Sequence, residues 1–210
     1  MSEQTGAAMD RIEPSHATRN DLLQAGLKAF QQTGYERATV ANIRAIAGVS
    51  NGSFFHFFKS KEALAAALYL DALHSYHDAM ARRVSERTGA AEGVEYLVKA
   101  HLRWVVDHRS QARFLFEQSR SEWLGQVRDQ QRAANASFKR SVQRWMEPRV
   151  KDGTLYDLPP PVLIAQIIGP AQIFCRAWLS GRKSQPPDRH AKDLVNCARR
   201  AVVCSSSAGQ

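Results

Sequence analysis

The sequence predicts an all-α protein: a small N-terminal three-helix domain containing a helix-turn-helix, then a larger helical bundle, about nine helices in all. Three observations carry this. Apolar residues recur at three- and four-residue spacing from Thr18 almost to the C-terminus. No stretch alternates β-branched with polar residues between turn signals, as a half-buried strand would. Glycine and proline breaks divide the chain into short helices near the N-terminus and longer ones after them. With 44% hydrophobic and 23% charged residues, the composition suits a globular protein and argues against a disordered chain, a collagen or a small disulfide scaffold.

Residues 1–16 carry Glu3, Asp10 and Glu13 but no apolar run, so they read as a disordered tail rather than a signal peptide. The first helix follows, with Leu22, Leu23, Leu27 and Phe30 on one face and a stop at Gly34. Thr39 offers an N-cap for a short helix carrying Val40, Ile43, Ile46 and Ala47, and Gly48 can supply the left-handed residue that ends it. Ser50 caps the next helix, Asn51 to Phe58, and Ser60 caps a fourth beginning Lys61-Glu62-Ala63-Leu64. A DNA-binding domain over 17–63, with its helix-turn-helix at about 38–58, is therefore expected. Its core is expected to be Ile43, Ala47, Val49, Phe54 and Phe57 packed with the first helix, leaving Asn51, Ser53, Phe55 and His56 facing outward.

Residues 64–204 are expected to form the bundle, with breaks at Thr88-Gly89, His108 to Ser110, Trp123 to Gly125, Lys151 to Pro161 and Gly181 to Pro187. The serine-rich residues 205–210 read as a flexible tail. Val162 to Leu179 is the most apolar later stretch, but Gln166, Pro170, Gln172 and Arg176 interrupt it, so no membrane span is expected. Cys175, Cys197 and Cys204 form no CxxC pair and cannot all pair within the chain, which suits a reducing compartment, the cytoplasm.

A net charge of +9 and a pI near 9.8 point toward a polyanionic partner. Polar side chains at the start of an exposed helix that follows a tight turn are suited to a DNA major groove. Asn51 can bond adenine edges or phosphate, Gly52 lets the backbone approach DNA closely, and Ser53 and His56 suit base or phosphate contacts. Arg82-Arg83, Arg182-Lys183 and Arg199-Arg200 read as solvated faces.

Gly34-Tyr35, Thr39-Val40, Ile43, Ala47-Gly48-Val49-Ser50, Gly52-Ser53, Phe57-Phe58-Lys59 and Ser60-Lys61-Glu62-Ala63-Leu64 together resemble the TetR family signature, over roughly Thr18 to Leu70. Ile168-Gly169-Pro170 through Trp178-Leu179-Ser180-Gly181 resembles the dimerisation helix of some members. The resemblance implies a regulator, most often a repressor, that binds a palindromic double-stranded operator as a dimer and is released by a small-molecule effector. It places Thr39, Lys59 and Lys61 at phosphate-clamping positions. Two residues depart from the family pattern. Phe55 stands where a tyrosine hydroxyl often bonds a phosphate, so only apolar contact with sugar or a thymine methyl remains. Arg44 stands where a small residue usually sits, and is expected to reach outward to a phosphate.

For the bundle, the resemblance implies an effector pocket, with candidate lining residues Trp104, Phe114, Trp123, Phe138, Phe174 and Trp178 and polar anchors His101, Arg103 and Arg113. It also implies a homodimer through helices at about 161–181 and 187–203. No cofactor or metal is expected, since His74, His77 and Asp78 lack further ligands. The sequence holds no GxxxxGK[ST], GxSxG or HExxH motif and is read as a non-enzyme, the alternatives being an enzyme or transport module built on the bundle and a nonspecific DNA-binding protein.

Overall fold

The computed structural model describes residues 19–204; the two tails expected at 1–16 and 205–210 lie outside them. The described chain is helical, apart from one antiparallel bridge between Leu155 and Val203. Two compact units divide at Leu64.

In the first unit, α1 (Arg19–Thr33) buries Leu22, Leu23, Leu27 and Phe30, the face that the spacing predicts, and ends at Gly34 with φ 79°. α2 (Val40–Ala47) and α3 (Asn51–Phe57) follow, and then the first residues of α4 (Lys61–Ala81). The core differs from expectation: Ala47 and Val49 are only half-buried, and a different phenylalanine enters it. Phe57 is 38% exposed, whereas Phe58, just past the last turn of α3, is buried at 4% beside the wholly buried Phe54. The reason lies in the backbone: Phe58 adopts an extended conformation (φ −135°, ψ 123°), so its side chain no longer follows the helical rotation and turns inward.

The second unit holds most of α4, then α5 (Ala90–Asp107), α6 (Arg109–Glu117), α7 (Arg128–Lys151), α8 (Pro160–Leu179) and α9 (Ala191–Val202). The chain at 122–127 is a 3-10 turn rather than a simple break. Residues 187–190, expected at the start of the last helix, form another. α5 is central and packs against α7, α8 and α9. Among the described residues α8 alone is long and apolar enough to cross a membrane, with mean hydropathy 1.5. Its buried face, Leu163, Ile167, Ala171, Cys175 and Trp178, belongs to the bundle, where α8 packs on α5 and α9.

One close approach locks α7 onto α5. Trp145 is fully buried, and its indole N–H donates to the Thr88 carbonyl at 3.0 Å. A Cβ on Gly93 would lie 2.3 Å from that ring, inside any allowed contact. Arg149, one turn beyond Trp145, donates to the same carbonyl at 3.0 Å, so the end of α7 is tied to the loop before α5. Gly93→Ala is therefore expected to destabilise the protein by about 2 kcal/mol through overpacking. Urea denaturation followed by tryptophan fluorescence would measure it, and an unchanged midpoint would show that Trp145 moves aside freely.

Candidate functional site

α2 and α3 are short, so capping rather than length makes them hold. The Thr39 hydroxyl accepts from the Asn42 N–H at 3.2 Å, and the Ser50 hydroxyl accepts from the Ser53 N–H at 3.1 Å, each satisfying one orphan donor of the first turn. Between them Gly48 sits at φ 67°, ψ 33°, a left-handed conformation that any Cβ disfavours, and its N–H and that of Val49 close onto the Arg44 carbonyl. The turn fixes the direction of α3. Phe54 anchors the helix to the core, and the opposite face carries Asn51, Gly52, Phe55, His56 and Phe57 into solvent, with Lys59 exposed just beyond.

These residues are not equally free. Arg44 does not extend outward: its Nη1 donates to Asn51 Oδ1 at 3.1 Å. One of the two acceptor sites on Asn51 Oδ1 is thereby engaged, and its NH2 keeps its donors. Such an amide is oriented by Arg44 and can donate to an acceptor such as a phosphate oxygen or guanine N7, with one oxygen lone pair left for a donor. Ser53 lies 3.0 Å from Ser50, hydroxyl to hydroxyl. Lys61 donates to the Tyr35 carbonyl at 3.0 Å with its ammonium 4.4 Å from the Tyr35 ring centre, so it braces the α1–α2 turn against α4. Lys59 makes no hydrogen bond or ion pair among the described residues. Gly52 is the reverse of Gly93. A Cβ there would meet nothing closer than Ser50 Oγ at 3.8 Å, so no neighbour within the chain requires glycine.

The nine candidate pocket residues do not converge on one place. His101, fully buried, meets Tyr76 with 2.9 Å between Nδ1 and the phenol oxygen, and its ring stacks near Phe116. Trp104 belongs to the same group through an edge contact with Tyr76 and an N–H bond to the Ser75 hydroxyl at 3.0 Å. Phe114 and Trp123 stack together beside Tyr69. Phe138 stacks on His77 with the rings 3° from parallel, and Phe174 meets His190. Trp178 lies under Arg109. Arg103 and Arg113 are exposed, the latter paired with Glu117 at 2.8 Å. Tyr69, Ser75 and Tyr76 were not singled out from sequence; the seven-residue interval between the two tyrosines, which repeats one face of α4, is the signal that marks them. Among the described residues no three His, Cys, Asp or Glu side chains are placed to hold a metal ion.

The comparisons agree with the helix-turn-helix geometry. Residues 22–68 match the model of the bacterial regulatory proteins of the tetR family. Over its N-terminal domain the chain is therefore similar to the TetR family. Within curated relatives, the chain is 40% identical over 70 residues to the HTH-type transcriptional regulator TtgR of Pseudomonas putida, a match that covers 33% of each chain. The match thus spans about a third of the length of such curated relatives. Beyond the TetR-type head the likeness is one of fold. A TetR-family protein from Rhodococcus RHA1 superposes with a TM-score of 0.72 at 23% identity, covering 90% of this chain and 98% of the other. The transcriptional regulator FadR of Bacillus subtilis, solved in complex with stearoyl-CoA, gives 0.71 at 16% identity, covering 86% and 97%.

Burial pushes the His101 imidazole down to about 4, and burial, followed by repulsion from His74, does the same to His77. Both stay neutral in the folded bundle at pH values where the unfolded chain, near 6.5, takes up protons. Stability is thus complete above about pH 6.5 and falls as the pH drops toward 4, by up to about 1.4 kcal/mol per unit for the wholly buried His101 and by less for His77, which solvent partly screens. Melting temperatures at pH 7 and 4.5 are expected to differ by less in His101→Gln than in the parent chain. An equal drop in both would place the acid sensitivity elsewhere.

Proposed function

We propose that the protein is a dimeric transcriptional repressor that reads a palindromic double-stranded operator and leaves it on binding a small molecule. The observation that carries this reading is the capped, Phe54-anchored α3, which displays Asn51, Gly52, His56 and Lys59 to solvent on the domain that matches the TetR family. A groove-reading helix needs that arrangement: rigid, short, polar at its start and not covered by its own unit. Lys59 and the N-terminus of α2 at Thr39 serve phosphates; Asn51, steered by Arg44, serves an acceptor on a base or phosphate; Phe55 and Phe57 supply apolar contact. Ser53, half-buried on Ser50, and Lys61, held by Tyr35, act mainly through the shape of the head.

Gly52 supports the same reading. Glycine in a helix costs up to about 1 kcal/mol relative to alanine, and since the chain itself leaves room for a Cβ, close approach of a DNA backbone is the remaining reason for it. Gly52→Ala is expected to raise thermal stability slightly and weaken operator binding. Selection from a random DNA pool at about 150 mM salt, where phosphate contacts alone bind weakly, should enrich a palindrome. On that sequence Asn51→Ala should reduce specific binding more than nonspecific binding, whereas Lys59→Ala should weaken both and flatten the salt dependence. A pool without enrichment would remove operator reading.

A second copy would be met through α8 and α9. The outward face of α8 carries Val162, 41% exposed, and Ile173, 72% exposed, in line with Ala165 and Gly169. Such a stripe of apolar and small residues permits close helix packing between two subunits. Ile173→Glu is expected to convert the dimer to a monomer and abolish palindrome binding; light scattering would detect the change in mass, and an unchanged mass would rule out this face.

For the effector, the interior about His101 is the favoured place. Its Nε2 is buried with no hydrogen-bond partner, beside Tyr76 and Trp104, and offers a ligand one polar anchor in an apolar setting. Ligand binding would favour one bundle arrangement over another, and α4, which begins at Lys61, would carry that preference to the heads as a population shift.

A further inference from the structure

A different part of the bundle carries a second set of features. A surface cleft of about 520 Å³ opens between the end of α6 and the end of α8, within the range of small-ligand sites. Arg113, Arg120, Arg176 and Arg182 converge on it with a single acid, Glu117. Glu117 neutralises Arg113 at 2.8 Å. The other three guanidiniums pair with no carboxylate among the described residues.

Gathering three uncompensated cations around one concavity is unfavourable for the protein alone, and it raises a strong positive potential there. Two of the three are also preoriented. The Arg176 guanidinium lies 5.4 Å from the centre of the Phe116 ring, and Arg182 donates from Nε to the Ser180 hydroxyl at 3.0 Å, which leaves its terminal nitrogens for another acceptor. A planar guanidinium held by one edge or face presents the fork that matches phosphate oxygens two at a time.

We propose that this cleft is a binding site for a small organic diphosphate, separate from the DNA-reading head. Each phosphate group brings roughly one to two negative charges, so two of them match the three open guanidiniums, whereas a single carboxylate would leave most of the charge unmet. The concave shape favours a compact anion over a DNA duplex, which needs a convex or grooved partner tens of ångströms long.

The test is isothermal titration of the full chain at about 150 mM salt with inorganic pyrophosphate, ADP and adenosine, in the parent protein, in Arg120→Ala/Arg182→Ala and in Lys59→Ala. The two cleft arginines are exposed and outside the core, and an unchanged melting temperature would show that the double variant folds. Saturable binding of pyrophosphate and ADP but not adenosine, one per chain, weakened about tenfold or more in the double variant and intact in Lys59→Ala, supports the site. Tighter binding of ADP than pyrophosphate would add a contribution from the nucleoside; equal binding would assign all of it to the diphosphate. Three results would overturn the proposal: no saturation at about 1 mM ligand, equal affinity in the double variant, or loss in Lys59→Ala, which would put the anion on the head. A double variant that loses only affinity for random duplex DNA would make these arginines backbone contacts instead. None of these outcomes depends on whether the head reads an operator.

Discussion

The exposed face of α3 depends on three residues, Gly48-Val49-Ser50. A left-handed residue at Gly48 and an immediate cap at Ser50 leave no slack between α2 and α3, so the direction of the second helix is set by backbone geometry rather than by side-chain packing alone. Packing then holds what the turn has aimed. Phe54 enters the core from the middle, and Phe58 from just past the end, of a helix of only seven residues, too short to be stable by itself. With its inner face committed in this way, the polar residues at its start have nowhere to go but outward.

Inside that frame the side chains sort by what already occupies them. Arg44, at a position that usually favours a small residue, turns along the surface to Asn51 and fixes the orientation of its amide. Lys61, one of three residues that the family resemblance assigns to phosphates, spends its charge on two carbonyls of the α1–α2 turn. Lys59 stays unengaged. Residues that are all polar and close in sequence are thus engaged very differently within the chain.

The bundle uses a different chemistry. Its interior holds neutral imidazoles and a thiol among aromatic rings, and burial pushes Cys175 up to about 12, far from the thiolate that redox chemistry needs. Polar atoms there meet single partners: Tyr76 with His101, Trp104 with Ser75, Trp145 with Thr88. The positive charge stays on the surface, and where it concentrates, at the ends of α6 and α8, an aromatic face holds Arg176 and a hydroxyl holds Arg182, while Glu117 holds Arg113.

The sequence by itself determined the helical class, the caps at Thr39 and Ser50, the turn at Gly48 and the polar face that α3 displays. These are local properties: a cap, a left-handed glycine and a 3.6-residue period act over a few residues, so their pattern is visible without the fold. Only the tertiary structure decided which of two adjacent phenylalanines enters the core, because Phe58 turns inward through an extended backbone that helical periodicity does not anticipate. It also decided that the aromatics of the bundle fall into separate clusters, that Arg44 serves Asn51, and that arginines at 113, 120, 176 and 182 share one cleft. Each of these is a contact between residues on different helices or turns. Such contacts are set by how helices pack, and a linear pattern carries no record of that.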